Sequence, residues 1–294
     1  MTGRLDGKVA IITGASTGLG PVMGAMFVRE GAQVLLAARR EELVQEAASA
    51  AGKGAIAMRA DVTSEDDVAA MVTRAVEAFG QVDIMCNNAA APGIDKWVWE
   101  QELDNWNATI AIDVTAAMLC SREVLRQSMI ERRSGVILNF SSTAGYNGIV
   151  RKTHYVTAKA SLRAFTKAVA LEVGQFGIRC NCIVPGSIDT ELWQNWVHRL
   201  AGEQSLEYET LRERMLQGNP LRTISSCEDV ANLALFLASD DSSYVNGQAI
   251  AVDGAGRVAG VVTFDQLRVA IQAADVADAA DAARARATGG DRPA

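Results

Sequence analysis

Val9-Ala10-Ile11-Ile12-Thr13-Gly14-Ala15-Ser16-Thr17-Gly18-Leu19-Gly20-Pro21 is the stretch that decides the architecture. Five apolar or β-branched residues read as a buried strand, and three glycines follow within seven positions. A helical pattern begins directly after them. Pro21 suits the first helical turn, where a missing N–H costs little. A strand that turns sharply into a helix aims backbone N–H groups and the positive end of the helix dipole at one spot, which is a ready anion site. Glycine there permits positive φ and lets a ligand come close to the backbone.

The same alternation runs outward through the chain. Val34–Ala38, Ala55–Met58, Val82–Cys86, Val136–Phe140, Cys180–Val184 and Ala249–Val252 read as buried strands. Helical patterns lie between them at Glu41–Ala51, Ser64–Phe79, Trp106–Met129, Tyr155–Val173 and Glu228–Ala238. Thr63-Ser64 before Glu65-Asp66-Asp67 is a helix start, because a hydroxyl caps and carboxylates suit the dipole. Alternation of this kind predicts α/β class: a doubly wound parallel sheet, covered on both faces and joined by right-handed crossovers, in a single domain over residues 1–255. Within it, 187–227 is long and holds Trp193, Trp196, His198 and Tyr208, so it is expected to be a substrate lid. Residues 256–294 form a C-terminal extension, in which Phe264, Leu267 and Ile271 fall at helical spacing before an Ala/Asp/Arg-rich end.

Composition removes several classes. A 294-residue chain with 49% hydrophobic residues can bury a large core, and its net charge of −7 disfavours nucleic acid as a partner. No apolar run reaches the roughly 18 residues of a membrane span, so no membrane partner is expected. Two histidines and five unpaired-spacing cysteines make a metal site improbable, and none is expected. The polar N-terminus lacks the apolar core of a secretory signal. A cytoplasmic protein with buried, reduced thiols is the expectation.

Several separated motifs together resemble the short-chain dehydrogenase/reductase family, over about residues 5–255. They are Thr13-Gly14-x-x-x-Gly18-x-Gly20, Asp61-Val62, Asn87-Asn88-Ala89, Ser142, Tyr155-x-x-x-Lys159, Pro185-Gly186-Ser187-Ile188-Asp189-Thr190 and Val252-Asp253-Gly254. The resemblance implies a Rossmann-type fold and a nicotinamide dinucleotide held by Gly14, Ser16, Thr17, Gly18, Leu19, Gly20, Asp61, Val62, Asn88, Tyr155, Lys159, Pro185, Gly186, Ile188 and Thr190. It also implies a homotetramer or homodimer, with the two long helices Trp106–Met129 and Tyr155–Val173 packed between subunits.

The end of the second strand reads Ala37-Ala38-Arg39-Arg40. A carboxylate about 20 residues beyond the glycines would hold the ribose 2′-OH of NAD. None is present there, and Arg39 can pair with a 2′-phosphate and stack on adenine. NADP is therefore expected over NAD, although Thr17 lacks the basic side chain that many NADP-preferring relatives carry.

Tyr155 and Lys159 are four apart, hence on one face of a helix. A free tyrosine titrates near ~10, and a nearby ammonium favours phenolate. Tyr155 can then act as general acid or base on a secondary alcohol or ketone. The resemblance gives Ser142 the substrate oxygen and Lys159 the nicotinamide ribose. The Tyr–Lys spacing argues against an enoyl reductase. Asp113 stands where the family often carries Asn. Its charge favours protonated Lys159, tends to raise the Tyr155 pKa and predicts a higher pH optimum for oxidation. Ala90 likewise replaces a family Gly.

Trp97, His154, Trp193 and Trp196 are candidate substrate contacts, since segments at the carboxyl ends of strands line ligand sites. They point to a small-molecule substrate that is bulky or aromatic. Three readings remain open from the sequence: an NAD(P)-dependent alcohol dehydrogenase or ketone reductase, a 3-oxoacyl-thioester reductase, and a catalytically quiet dinucleotide-binding sensor or scaffold.

Overall fold

A computed structural model describes residues 3–257. The candidate amphipathic segment at Phe264, Leu267 and Ile271 lies outside the described residues. Seven strands form one parallel sheet: β1 (Val9–Thr13), β2 (Gln33–Ala38), β3 (Ala55–Arg59), β4 (Ile84–Asn87), β5 (Gly135–Phe140), β6 (Ile178–Pro185) and β7 (Ala249–Val252). Their order is β3-β2-β1-β4-β5-β6-β7, and every pairing is parallel. The order reverses between β1 and β4, which opens a crevice beyond their carboxyl ends.

Alternation along β1 shows how the layers form. Ala10 and Ile12 join one buried cluster and Ile11 the other. Helices α1 (Leu19–Arg29) and α2 (Glu41–Ala51) cover the first face, with Cys227–Ala238 beside them. The second face is covered by α3 (Glu65–Phe79), a long helix α4 over 103–132 and α5 (Thr153–Val173). Burial on both faces explains why the strands read as continuous apolar runs. Ser64 caps α3 by accepting from Asp67 N, as its sequence predicts. All five cysteines are free and buried.

Two departures from the sequence reading matter for the site. Helix α4 starts three residues before Trp106 and widens into π-type turns at Ala111–Thr115 and Leu125–Met129. A π-turn inserts an extra residue per loop and re-aims the side chains there; Asp113 sits in the first one. Trp106 is only half-buried on this helix. The predicted lid is mostly helical: α6 (Glu191–Glu203) and α7 (Tyr208–Gln217) pack Trp193, Val197, Ala201, Leu211 and Met215 into a small core of their own.

A buried polar chain ties the sheet to α5. Asn87 Nδ2 donates to Asn139 Oδ1 at 2.8 Å, and Asn139 Nδ2 donates to Thr166 Oγ1 at 2.9 Å. Asn139 is fully buried. Removing its amide takes one hydrogen bond each from Asn87 Nδ2, which keeps Ser121 Oγ at 3.2 Å, and from Thr166 Oγ1, which keeps Leu162 O at 2.7 Å; in a site closed to water that loss costs about 1–3 kcal/mol. Asn139→Ala is expected to lower the urea midpoint by that loss of stability with an unchanged m-value; an unchanged midpoint would contradict the role given to this chain of hydrogen bonds.

Candidate active site

The phosphate-loop segment 13–20 turns from β1 into α1 with Gly14 and Gly18 both at φ +66°. A Cβ on Gly14 would meet Ala89 Cα at 2.7 Å, and one on Gly20 would meet Ala15 Cα at 2.7 Å. The third glycine thus closes the loop on the helix, and the first lets it lie against the end of β4. Asn88 holds that contact: its Nδ2 donates to Thr13 O at 2.9 Å and Gly14 O at 3.3 Å. Gly18 faces Thr190 Cγ2, which brings the 185–190 segment over the loop. Helix α1 has no side-chain cap and no acidic residue in its first turn. Its first N–H groups are therefore left for an outside acceptor. Glycines that no Cβ could replace and uncapped helix N–H groups fit a dinucleotide pyrophosphate.

The second strand's end differs from the sequence expectation. Arg40, not Arg39, turns back to the loop: its Nη2 donates to Ser16 Oγ and Thr17 Oγ1, each at 2.9 Å. Arg40 is the N-cap residue of α2, and like Arg39 it is exposed; its guanidinium lies along the surface back to the loop. Arg39 is exposed and contributes its charge to the neighbourhood of Asp61. The Asp61 carboxyl accepts from Thr63 N at 3.0 Å and from Thr63 Oγ1 at 2.7 Å. The Thr63 backbone bond above all holds its pKa below the ordinary carboxylate value. Val62 is buried beside it. No adjacency signal separates Arg39 from Arg40 in the sequence; only the backbone path does.

On the other side of the crevice, Tyr155 and Lys159 lie on α5, and Ser142 lies just past β5. Lys159 is 3% exposed, and its Nζ donates to Phe140 O at 3.0 Å. It stands 3.7 Å from Asp113 Oδ2 and 5.6 Å from the centroid of the Tyr155 ring. Asp113 Oδ1 accepts from Ala91 N at 2.9 Å, while Oδ2 has no hydrogen-bond partner among the described residues. Burial raises the Asp113 pKa against the opposing pull of Lys159. The Tyr155 pKa is also raised, and burial is the main cause; the Asp113 carboxylate adds to it, while Lys159 and the Ser142 hydroxyl oppose it. The ammonium four residues away favours phenolate, as the motif spacing suggests, but desolvation of the phenolate outweighs it.

The four substrate candidates separate. Trp196 approaches the centre, since Lys152 Nζ lies 5.7 Å from its ring and 5.8 Å from that of Tyr155. Trp193 is buried in the lid's own core, because its face of α6 packs against α7. Trp97 stacks flat on the exposed Trp99 at 5.0 Å. His154 is fully buried, with Nε2 3.0 Å from Pro92 O. A Cβ on Gly93 would collide with that ring, so His154 shapes the 92–95 loop rather than forming a wall. Pro185 and Gly186 are pinned by Thr143 N donating to Pro185 O and Gly186 N donating to Val252 O, both at 2.9 Å. Ile188 bridges to Ser225. Lys152 and Arg40 had no signal in the sequence beyond their charge.

The family profile described as "Enoyl-(Acyl carrier protein) reductase" matches residues 14–255. The chain belongs to the short-chain dehydrogenase/reductase family. It is an oxidoreductase, and the family works with NAD(P). Among curated relatives, it is 36% identical to the "Uncharacterized oxidoreductase YxbG" of Bacillus subtilis (strain 168), over 86% of this chain and 92% of that protein. It is 35% identical to "3-oxoacyl-[acyl-carrier-protein] reductase FabG" of Chlamydia trachomatis, over 86% and 99%. Two solved structures carry different cofactors. A variant of the actinorhodin polyketide ketoreductase, solved with NADPH, matches with TM-score 0.83 and 28% identity, over 87% of this chain and 99% of that one. The NAD+-bound xylitol dehydrogenase matches with TM-score 0.80 and 28% identity, over 84% and 98%. Among the described residues, no helix is long and apolar enough to cross a membrane, and no cluster of metal-ligating side chains is present.

Proposed function

We propose that this short-chain oxidoreductase interconverts a secondary alcohol and a ketone, with Tyr155 as the general acid and base. The observation that carries the reading is the buried Lys159, which lies beside both the Tyr155 ring and the Asp113 carboxylate. The dinucleotide, when bound, supplies the hydride acceptor or donor. Ser142 orients the substrate oxygen. Tyr155 takes the alcohol proton in oxidation and returns it in reduction. Lys159 steadies the phenolate as it forms and reaches the ribose side of the site. Asp113 is a positioning residue: it holds the Lys159 ammonium and fixes the backbone at Ala91.

The coenzyme pocket is assigned to Gly14, Ser16, Thr17, Gly18, Leu19, Gly20, Asp61, Val62, Asn88, Pro185, Gly186, Ile188 and Thr190, with NADP as the cofactor. Arg40 supports that choice, because it places a cation against Ser16 and Thr17 where the strand end offers no carboxylate. Residues 1–255 act as one catalytic domain with the lid over 187–227, and Trp196 is the aromatic contact for a bulky substrate. Five free thiols suit a reducing cytosol. A homotetramer or homodimer paired through α4 and α5 would cover Met118 and Leu171, large apolar side chains that are 38% and 85% exposed. The FabG relative supports a second reading, a 3-oxoacyl-thioester substrate, which a panel containing a 3-oxoacyl thioester and cyclic ketones separates.

Tyr155→Phe is expected to lower kcat at least about a hundredfold while NADPH still binds by calorimetry; turnover unchanged would remove Tyr155 from the chemistry. In alcohol oxidation the base form is needed, so kcat/KM rises with pH through the Tyr155 pKa. Because Asp113 raises that pKa, Asp113→Asn should move the acidic limb to lower pH, and an unmoved limb would sink its assigned effect.

The cofactor assignment has its own test. Arg40→Ala should weaken NADPH binding about tenfold to a hundredfold, the range for one charge-assisted hydrogen bond, with a smaller effect on NADH. A loss confined to Arg39→Ala would return the role to the neighbouring arginine.

A further inference from the structure

We propose that Lys152 is a specificity-determining residue that recognises a carboxylate on the substrate, a few bonds from the carbon that is oxidised or reduced. The inference rests on the reading of Tyr155 as the acid and base, since it places this carboxylate relative to that phenol.

Lysine is rarely buried without a strong partner. The Lys152 side chain is only 10% exposed. Its ammonium faces two aromatic rings, those of Tyr155 and Trp196, at 5.8 and 5.7 Å. It therefore stands between the reacting phenol and the lid.

Its one anionic neighbour among the described residues is shared. Asp95 Oδ1 lies 2.9 Å from Lys152 Nζ, while Asp95 Oδ2 takes a 2.6 Å bond from Arg199 Nη2 on the lid helix α6. The Arg199 contact is a well-formed hydrogen bond. The Lys152 contact is not: Asp95 Oδ1 has no hydrogen-bond partner of acceptable geometry among the described residues. The neighbouring Arg151 is already matched by Glu203 at 3.2 Å. The cluster thus carries two cations on one carboxylate beside a neutral pair, and one positive charge is left over. An ammonium with unspent donors in a low-dielectric pocket favours an incoming anion strongly.

The backbone supports a placed rather than an incidental lysine. Arg151 adopts φ +65°, a left-handed conformation that a non-glycine residue takes only when its surroundings enforce it. Those surroundings are visible: Lys96 N donates to Arg151 O at 2.9 Å, and the Arg151 guanidinium reaches Glu203 on the lid. The strained residue sets the direction of the next side chain, which points Lys152 at Tyr155. Asp95 keeps the ammonium in place until a substrate carboxylate takes its free donors. Arg199 then retains Asp95, so no buried carboxylate is stranded.

The experiment compares 3-hydroxycyclohexanecarboxylate with its methyl ester under NADP in the full chain, for wild type, Lys152→Gln and Lys152→Arg. Wild type should favour the acid in kcat/KM. Lys152→Gln should lose that acid-over-ester preference by about tenfold to a hundredfold, mainly in KM, and Lys152→Arg should restore part of it. Calorimetry of cyclohexanecarboxylate against the same three proteins gives a readout free of turnover and should show binding that needs the cation. A structural role alone would lower acid and ester together and leave the preference intact, which overturns the proposal. So would a wild type that favours the ester or does not bind cyclohexanecarboxylate. Lysine-dependent binding of the carboxylate without turnover of either alcohol would instead uphold Lys152 as an anion site and contradict the alcohol–ketone reading of Tyr155.

Discussion

A single buried ammonium organises the catalytic half of this molecule. Lys159 Nζ bonds the last carbonyl of β5, faces the Asp113 carboxylate of α4 and stands beside the Tyr155 ring. Through Asp113 Oδ1 and Ala91 N, the same contact reaches the loop after β4. Two strand ends and two helices therefore share one charge. Burying an ammonium is costly unless it is paired and hydrogen-bonded. The π-turn of α4 delivers the carboxylate that meets this demand. Losing either partner would leave an uncompensated charge where water does not reach, so the constraint is structural before it is catalytic.

The second half of the crevice follows different physics. At the phosphate loop, what matters is what is missing: Cβ atoms at Gly14 and Gly20, and a side-chain cap on α1. Space and free N–H groups make the pocket, with Arg40 adding charge at its edge. The proposed substrate side is instead built from long charged side chains that join three segments. Asp95 comes from the loop after β4, Lys152 from the entry to α5 and Arg199 from the lid. These are side-chain contacts between separate segments, whereas the glycine loop is fixed by close backbone packing.

Legibility in the sequence tracks these differences. The strands are readable because burial on both faces leaves unbroken apolar runs, and their ends shift by only a residue or two. Tyr155, Lys159 and Ser142 fall where their spacing on one helix and one strand end places them. Arg39 and Arg40 are not separable in the sequence because position along the chain does not reveal which way a side chain leaves a turn. Trp193 looks like a pocket wall because the lid's small core is formed by residues far apart in sequence, Leu211 and Met215 among them. The sign of the Tyr155 shift is hidden for a related reason. Pairwise charge is visible in a motif, but desolvation depends on everything packed around the phenol.

The balance between burial and the neighbouring cation sets the direction of the Tyr155 shift, and titration of the Tyr155 phenol in the free protein tests it most directly. Nuclear magnetic resonance of ring-labelled tyrosine, assigned with Tyr155→Phe, follows that single group through the alkaline range. The expected midpoint lies above the ordinary tyrosine value of ~10, since burial and Asp113 together outweigh Lys159 and Ser142. A midpoint well below that value would show that the ammonium dominates, and would contradict the balance described for this site.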